Sequence, residues 1–220
     1  MQRPLQLELS AKSWGGRRPG AGRKPTNRRV GVPHRTRPIH HATWPAHVTL
    51  RACAGLHSLR DARVFAAARR AVARGSRTGF RILQFSVQHD HVHLLVEADR
   101  HASLIRGLQG LTIRLARAVN RVLGRRGKVW ADRYHARALR TPREVRNALV
   151  YILQNWRKHL QRVTGLDPCS SASWFTGWDR TMPRVNIAPP IVSSRTWLAT
   201  VGWRRFGLIR FDEQPARRRQ

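Results

Sequence analysis

Several residue types that define common functional classes are scarce in this sequence. Its 220 residues include only two cysteines, Cys53 and Cys169, which are not spaced as a CxxC pair, so we exclude a disulfide framework and a thiolate zinc site. No stretch approaches the roughly 18 consecutive apolar residues that a membrane-spanning helix needs, and the first residues lack the apolar core of a signal peptide. We therefore expect a protein of a reducing compartment, the cytoplasm.

Acidic residues are also scarce, and this imbalance indicates the kind of partner. The chain has 11 Asp and Glu residues against 43 Lys and Arg residues, which gives a formal net charge of +32. A charge of this size predicts a polyanionic partner. Hydrophobic residues make up 41% of the chain, too many for a disordered basic tail. The chain is therefore expected to fold and to bind a polyanion.

Composition divides the chain into three parts, of which the first is a basic arm. Residues 1–46 are rich in glycine, proline and arginine, a composition typical of a mostly disordered segment. Within the arm, the run GGRRPGAGRKP combines glycines with four basic residues that could neutralise phosphates: Arg17, Arg18, Arg23 and Lys24. This run resembles the core of an AT-hook, which binds the DNA minor groove. The alternative is a solubilising basic tail without a specific partner.

Hydrophobic periodicity begins at residue 47 and predicts a folded domain over residues 47–163. The pattern predicts strands at 47–53, 80–88, 91–97 and 133–140, and helices at 59–74, 104–122 and from the Thr141-Pro142 cap to about 160. This β-α-β-β-α-β order followed by a further helix is the α+β, ferredoxin-like split βαβ plan: an antiparallel four-stranded sheet with two helices on one face. Residues 164–220 form a basic, tryptophan-rich extension that we expect to be partly ordered.

A pair of histidines on the third predicted strand is a candidate metal site. The segment QHDHVHLLV places His91 and His93 two residues apart, so both side chains project from the same face of the sheet. Two imidazoles in this arrangement can share one divalent cation. His89 has the same parity but lies at the turn. The alternative is that the histidines face solvent or bond within the domain.

The chain contains only two tyrosines, Tyr134 and Tyr151. On the last predicted helix Tyr151 lies away from the apolar stripe formed by Val145, Leu149, Ile152, Trp156 and Val163. Asn155, whose amide oxygen can ligate a metal, follows one turn later, and positive charge from Arg157 or Lys158 would favour the phenolate. This arrangement suits a metal-assisted tyrosine nucleophile. The alternative is an ordinary interfacial tyrosine.

Three segments together resemble a known family. The strand DHVHLLV, the segment VWADRYHARALRTPREV and the helix with Tyr151 and Asn155 occur in the order seen in HUH-type single-tyrosine transposases, in particular REP-associated tyrosine transposases and their insertion-sequence relatives. The resemblance covers about residues 44–163. It implies that His91 and His93 bind Mg²⁺ or Mn²⁺ and that Tyr151 is the nucleophile. Many relatives carry Asn-Pro where this chain has Asn155-Trp156, so the third ligand is either Asn155 or Gln154.

The resemblance also implies an activity. It predicts a single-strand DNA endonuclease and strand transferase that acts through a 5′-phosphotyrosine intermediate, on single-stranded or hairpin DNA, as a monomer or homodimer near the bacterial nucleoid. Arg157, Lys158 and the basic arm would then contact DNA. One alternative is a non-catalytic DNA- or RNA-binding protein, although the aromatic pairs of RNA-binding sheets are missing. Another is a metal-free RNA-cleaving enzyme with a histidine base, for which no second acid is evident.

Overall fold

The structure is a computed structural model that describes residues 38–158, 165–182 and 185–215. For Lys158 it describes the backbone only. The predicted DNA contacts of the arm, Arg17, Arg18, Arg23 and Lys24, lie outside the described residues, and so does Val163 of the predicted stripe. None of the helices in these ranges is long and apolar enough to cross a membrane.

The main elements follow the predicted order. They are β1 (Ala46–Arg51), α1 (Ala62–Ala73), β2 (Phe80–Val87), β3 (His91–Ala98), α2 (His101–Val122), β4 (His135–Ala138) and α3 (Pro142–Gln154). The strands form one antiparallel sheet in the order β2-β3-β1-β4. This confirms the predicted ferredoxin-like α+β fold. The strand β4 is shorter than predicted, and Tyr134 precedes it, buried in the core.

The sheet separates two apolar cores. On one face, α1 and α2 pack against alternate strand residues, among them Val48, Leu50, Val92, Leu94 and Val96. On the other face, Leu83 and Leu95 contact α3 and the C-terminal extension. The two helices predicted to lie on one face of the sheet, α1 and α2, therefore do so, and the added helix α3 covers the other face. Because side chains alternate along β3, the parity that buries Leu95 beneath α3 also directs His91 and His93 to that face.

The start of α3 follows its sequence closely, but its end does not. Thr141 caps the helix: its hydroxyl accepts from the Glu144 amide while the Glu144 carboxylate accepts from the Thr141 amide, and Pro142 is the first helical residue. This confirms the predicted cap. The α-helix ends at Gln154 instead of about residue 160 and continues as a 3₁₀ turn over Asn155–Lys158. A 3₁₀ turn is a common way to end an α-helix.

The C-terminal extension packs beside α3 and completes the second core. Its described residues include two 3₁₀ turns, Ala172–Trp174 and Gly202–Phe206, and one short helix, α4 (Trp197–Thr200). Trp178 and Trp203 are 4% and 2% exposed, which accounts for two of the tryptophans that the sequence places in this basic segment. The buried carboxylate of Glu97 accepts hydrogen bonds from the backbone of Arg195 and Thr196. These contacts tie the extension to the sheet face that carries the histidines.

Candidate active site

The two histidines and the tyrosine meet where α3 crosses β3. The rings of His91 and His93 lie edge to face, with their centroids 4.6 Å apart. The ring of Tyr151 lies 4.9 Å from that of His93, also edge to face. Tyr151 is half-buried, so its ring is partly accessible from solvent. The structure thus brings together the three residues that the sequence singled out from two separate segments.

Strand β1 adds two side chains to this cluster that the sequence analysis missed. The Thr49 hydroxyl lies 3.2 Å and the His47 Nε2 atom 3.3 Å from Nδ1 of His93. The His47 ring also lies 5.7 Å from Tyr151. Thr49 faces His93 directly across the β1–β3 pair, and His135 of β4 faces Thr49 on its other side. The alternation of His47 and Thr49 with buried Val48 and Leu50 was visible in the sequence, but the strand pairing was not.

A carboxylate orients the ring of His91. Its Nδ1 atom donates to Asp90 Oδ1 at 2.7 Å, and Arg51 lies 3.6 Å from the same carboxylate. The hydrogen bond from His91, aided by the positive charge of Arg51, lowers the pKa of Asp90. A carboxylate that holds one ring nitrogen of a histidine fixes the tautomer and directs the other nitrogen toward a ligand. Asp90 is therefore a positioning residue for His91.

Asn155 supplies a buried amide one helical turn beyond Tyr151. The residue is 1% exposed, and neither its Oδ1 nor its Nδ2 atom has a hydrogen-bond partner among the described residues. A buried amide without a partner is costly, because the group loses its bonds to water and gains none in return. In native proteins such a group is bonded to an ordered water, an ion or another ligand. An amide oxygen is one of the donors that divalent cations accept.

The donor set fits a divalent cation only if this amide takes part. Within the described ranges, no three His, Cys, Asp or Glu side chains are grouped so that they could hold a metal ion. The candidate ligands are therefore the imidazoles of His91 and His93 together with the unsatisfied amide of Asn155. Imidazole and amide donors in a partly open site are compatible with Mn²⁺ or Mg²⁺, whose remaining positions are filled by water or phosphate oxygens.

The side chains of Gln154 and Arg157 contact each other and the C-terminal extension. The Gln154 amide donates to the carbonyl of Phe211 at 2.8 Å and accepts from Arg157 Nε at 2.8 Å. The guanidinium of Arg157 also donates to the Gly165 carbonyl and stacks on the ring of Phe211. Both side chains thus bind the C-terminal extension. That Gln154 ligates a metal and that Arg157 contacts DNA both stay predictions, which these contacts do not test.

Residues 67–155 match a family model described as transposase, IS200-like. A solved structure of a REP-associated tyrosine transposase bound to a REP hairpin is similar in fold, with 17% identity, coverage of 58% of this chain and 74% of the other, and a TM-score of 0.47. No curated protein matches the chain significantly. The segment matched by the family model includes His91, His93, Tyr151 and Asn155, and over these residues it supports the resemblance to insertion-sequence transposases drawn from the sequence motifs.

Proposed function

We propose that this chain, whose residues 67–155 match the family model of IS200-like transposases, cleaves and rejoins single strands of DNA through a covalent bond to Tyr151. The observation that carries the proposal is the position of Tyr151. Its ring lies 4.9 Å from His93 and one turn before the buried, unsatisfied amide of Asn155. A tyrosine that only packs at an interface would need neither a histidine pair nor a buried amide beside it.

The proposed reaction exchanges one phosphodiester bond for another. The Tyr151 oxygen attacks phosphorus and forms the new O–P bond, while the bond from phosphorus to the 3′ oxygen breaks. The phenol loses its proton and the departing 3′ oxygen gains one, so the products are a 5′-phosphotyrosine and a free 3′-hydroxyl. The reverse reaction with another 3′-hydroxyl joins strands without ATP, because the energy of the phosphodiester bond is kept in the enzyme link.

The neighbours of Tyr151 divide the remaining tasks. His91, His93 and Asn155 would hold a divalent cation, which when bound supplies charge to polarise a non-bridging oxygen of the scissile phosphate. Asp90 engages Nδ1 of His91, and Thr49 and His47 lie against Nδ1 of His93. A ligand bond from either ring would therefore come from Nε2. Preorganisation of this kind is what a metal-assisted transfer requires.

A covalent adduct is the direct test of this function. The native protein, incubated with labelled single-stranded hairpin DNA and Mn²⁺, should yield a protein–DNA species that survives denaturation. Peptide mapping by mass spectrometry should place the nucleotide on Tyr151. An adduct on Tyr134 would instead move the active site to the opposite core. Cleavage products that carry no protein would replace the tyrosine mechanism by hydrolysis.

Metal binding has its own prediction. Because a ligand that binds only the folded state stabilises it, Mn²⁺ at 100 times its Kd should add about 2.7 kcal/mol to the free energy of unfolding. For a chain of this size, that corresponds to a rise in Tm of roughly 5–10 °C. The double variant His91→Ala/His93→Ala should lose this shift, as measured by thermal unfolding with and without Mn²⁺.

The matched control removes two exposed histidines outside the cluster, His57 and His89. The variant His57→Ala/His89→Ala should keep the full metal-induced rise in Tm. If Mn²⁺ does not raise the Tm of the native protein, or if both double variants respond equally, the assignment of the metal to His91 and His93 is wrong.

A further inference from the structure

A groove between α1 and α2 concentrates positive charge on the sheet face opposite Tyr151. Its volume is about 360 Å³, and five arginines line it: Arg70, Arg74, Arg114, Arg117 and Arg121. All five are exposed. The two helices pack on the sheet face opposite α3. The groove is therefore a separate surface from the tyrosine site.

The charge of the groove is not compensated. Neither α1 nor α2 contains an Asp or Glu residue. Within the described part of the chain, none of the five arginine side chains forms an ion pair, a hydrogen bond or a cation–π contact, whereas the side chains of Arg60, Arg81 and Arg146 are all paired with carboxylates. Clustering five unpaired cations costs repulsion energy. An anionic partner recovers this energy.

The spacing of the arginines suits a regular array of anions. Arg114, Arg117 and Arg121 follow one another at i, i+3 and i+7 on α2, which places them along one face over about 10 Å. Arg70, in the last turn of α1, and Arg74, its C-cap, line the groove from the other helix. Duplex DNA carries one charge for every ~1.7 Å of its axis. A backbone laid along the groove therefore meets several arginines at once.

The lining of the groove favours a duplex over other partners. None of the lining residues is aromatic, whereas surfaces for single strands usually stack bases on aromatic rings. The floor consists mostly of alanines, and Ile113 is its one exposed large apolar side chain. That is too little apolar surface to seat the hydrophobic face of an acidic helix. The combination of charge without stacking platforms is typical of contacts to a phosphate backbone.

We infer that this groove, which we call the arginine groove, binds the phosphate backbone of double-stranded DNA independently of its sequence. The inference rests on the proposed function only in taking DNA as the partner, and it requires no cleavage. The duplex part of a substrate would then contact the face covered by α1 and α2, and the scissile single strand would contact the face that carries Tyr151. Each face then contributes its own share of the affinity.

The test measures the salt dependence of binding to a 20-base-pair duplex of arbitrary sequence, in EDTA, by fluorescence anisotropy. The variant Arg114→Gln/Arg117→Gln/Arg121→Gln should lower the slope of log K against log salt concentration by about 2–3, because each phosphate contact contributes about 0.9. The corresponding triple lysine variant should restore most of the slope, since charge is retained.

Two comparisons make the result specific. A control variant removes the same charge from three exposed arginines outside the groove, Arg100→Gln/Arg195→Gln/Arg205→Gln. An equal loss of slope in this control would overturn the inference, because only overall charge would then matter. An unchanged slope in the groove variant would also overturn it. A loss of affinity for oligo-dT as large as that for the duplex would assign the groove to single strands instead.

The same protein preparations separate this inference from the proposed function. Tyr151→Phe should bind the duplex with the native slope whether or not Tyr151 is the nucleophile. Conversely, the groove variant should still form the covalent adduct on hairpin DNA at saturating protein concentration. If the native protein forms no covalent adduct while the groove variant loses duplex binding, the inference about the groove is supported and the tyrosine mechanism is wrong. If the native protein forms the adduct on Tyr151 while the groove variant keeps the native salt dependence of duplex binding, only the inference about the groove is wrong.

Discussion

Replacing Tyr151 by phenylalanine should reduce the rate of DNA cleavage by roughly 10⁴-fold or more, as expected when a covalent nucleophile is removed. The variant loses one hydroxyl and keeps the ring, so the edge-to-face contact with His93 and the packing of α3 remain. DNA affinity should change little, because electrostatic attraction is spread over many arginines. Cleavage would be followed on labelled hairpin DNA in gels, and binding by anisotropy in EDTA.

Tyr134 provides the matched control for this substitution. It is the only other tyrosine in the chain and lies 9% exposed in the core that α1 and α2 share with the sheet. Tyr134→Phe removes the same hydroxyl and should keep the native cleavage rate. Undiminished cleavage by Tyr151→Phe would refute the tyrosine mechanism. It would favour a nuclease in which water is the nucleophile.

Replacing Asp167 by alanine should lower the free energy of unfolding by about 3–5 kcal/mol, the usual cost of leaving one member of a buried ion pair alone. Asp167 is fully buried and accepts two hydrogen bonds from Arg60, at 2.8 and 3.1 Å, and one from the Cys169 amide. Burial opposes the charge of Arg60, but the hydrogen bonds and charge of Asp167 prevail and raise its pKa. Chemical denaturation would measure the change.

An exposed ion pair in the same extension serves as the control for Asp167. Asp212 and Arg210 are paired at 3.0 Å, but their side chains are 60% and 70% exposed, so water screens their attraction. Asp212→Ala should therefore leave the denaturation midpoint nearly unchanged. The double variant Arg60→Ala/Asp167→Ala should cost less than the sum of the single changes, because neither charge is then left buried alone. Additive losses would contradict the assigned pairing.

The buried pair also bears on the active site. Arg60 precedes α1, and Asp167 lies in the C-terminal extension, so the pair fastens that extension to the domain. The extension in turn holds the end of α3, because the carbonyls of Arg210 and Phe211 accept from the Gln154 amide. Tyr151 lies one turn before this anchor. Variants that loosen the extension are therefore expected to reduce cleavage as well as stability.

The sequence by itself determined the features that depend on local periodicity, namely which side chains share a face of a strand or helix and where a helix begins. The alternation of side chains along a strand places His91 and His93 on one face wherever that strand lies. The 3.6-residue helical repeat places Asn155 one turn after Tyr151, and it places Tyr151 away from the buried stripe of α3. Thr141 and Pro142 mark the start of that helix because caps act within one turn. Each of these inferences depends on neighbours only a few residues apart.

Contacts between distant segments decided the rest. The β1–β3 register sets Thr49 against His93, and neither strand's own pattern specifies its partner's register. Gln154 and Arg157 bind the extension because residues more than 50 positions away supply carbonyl groups there. The arginine groove exists only once α1 and α2 lie side by side. Such pairings follow from the free energy of the whole packed chain, to which any single segment contributes only a part.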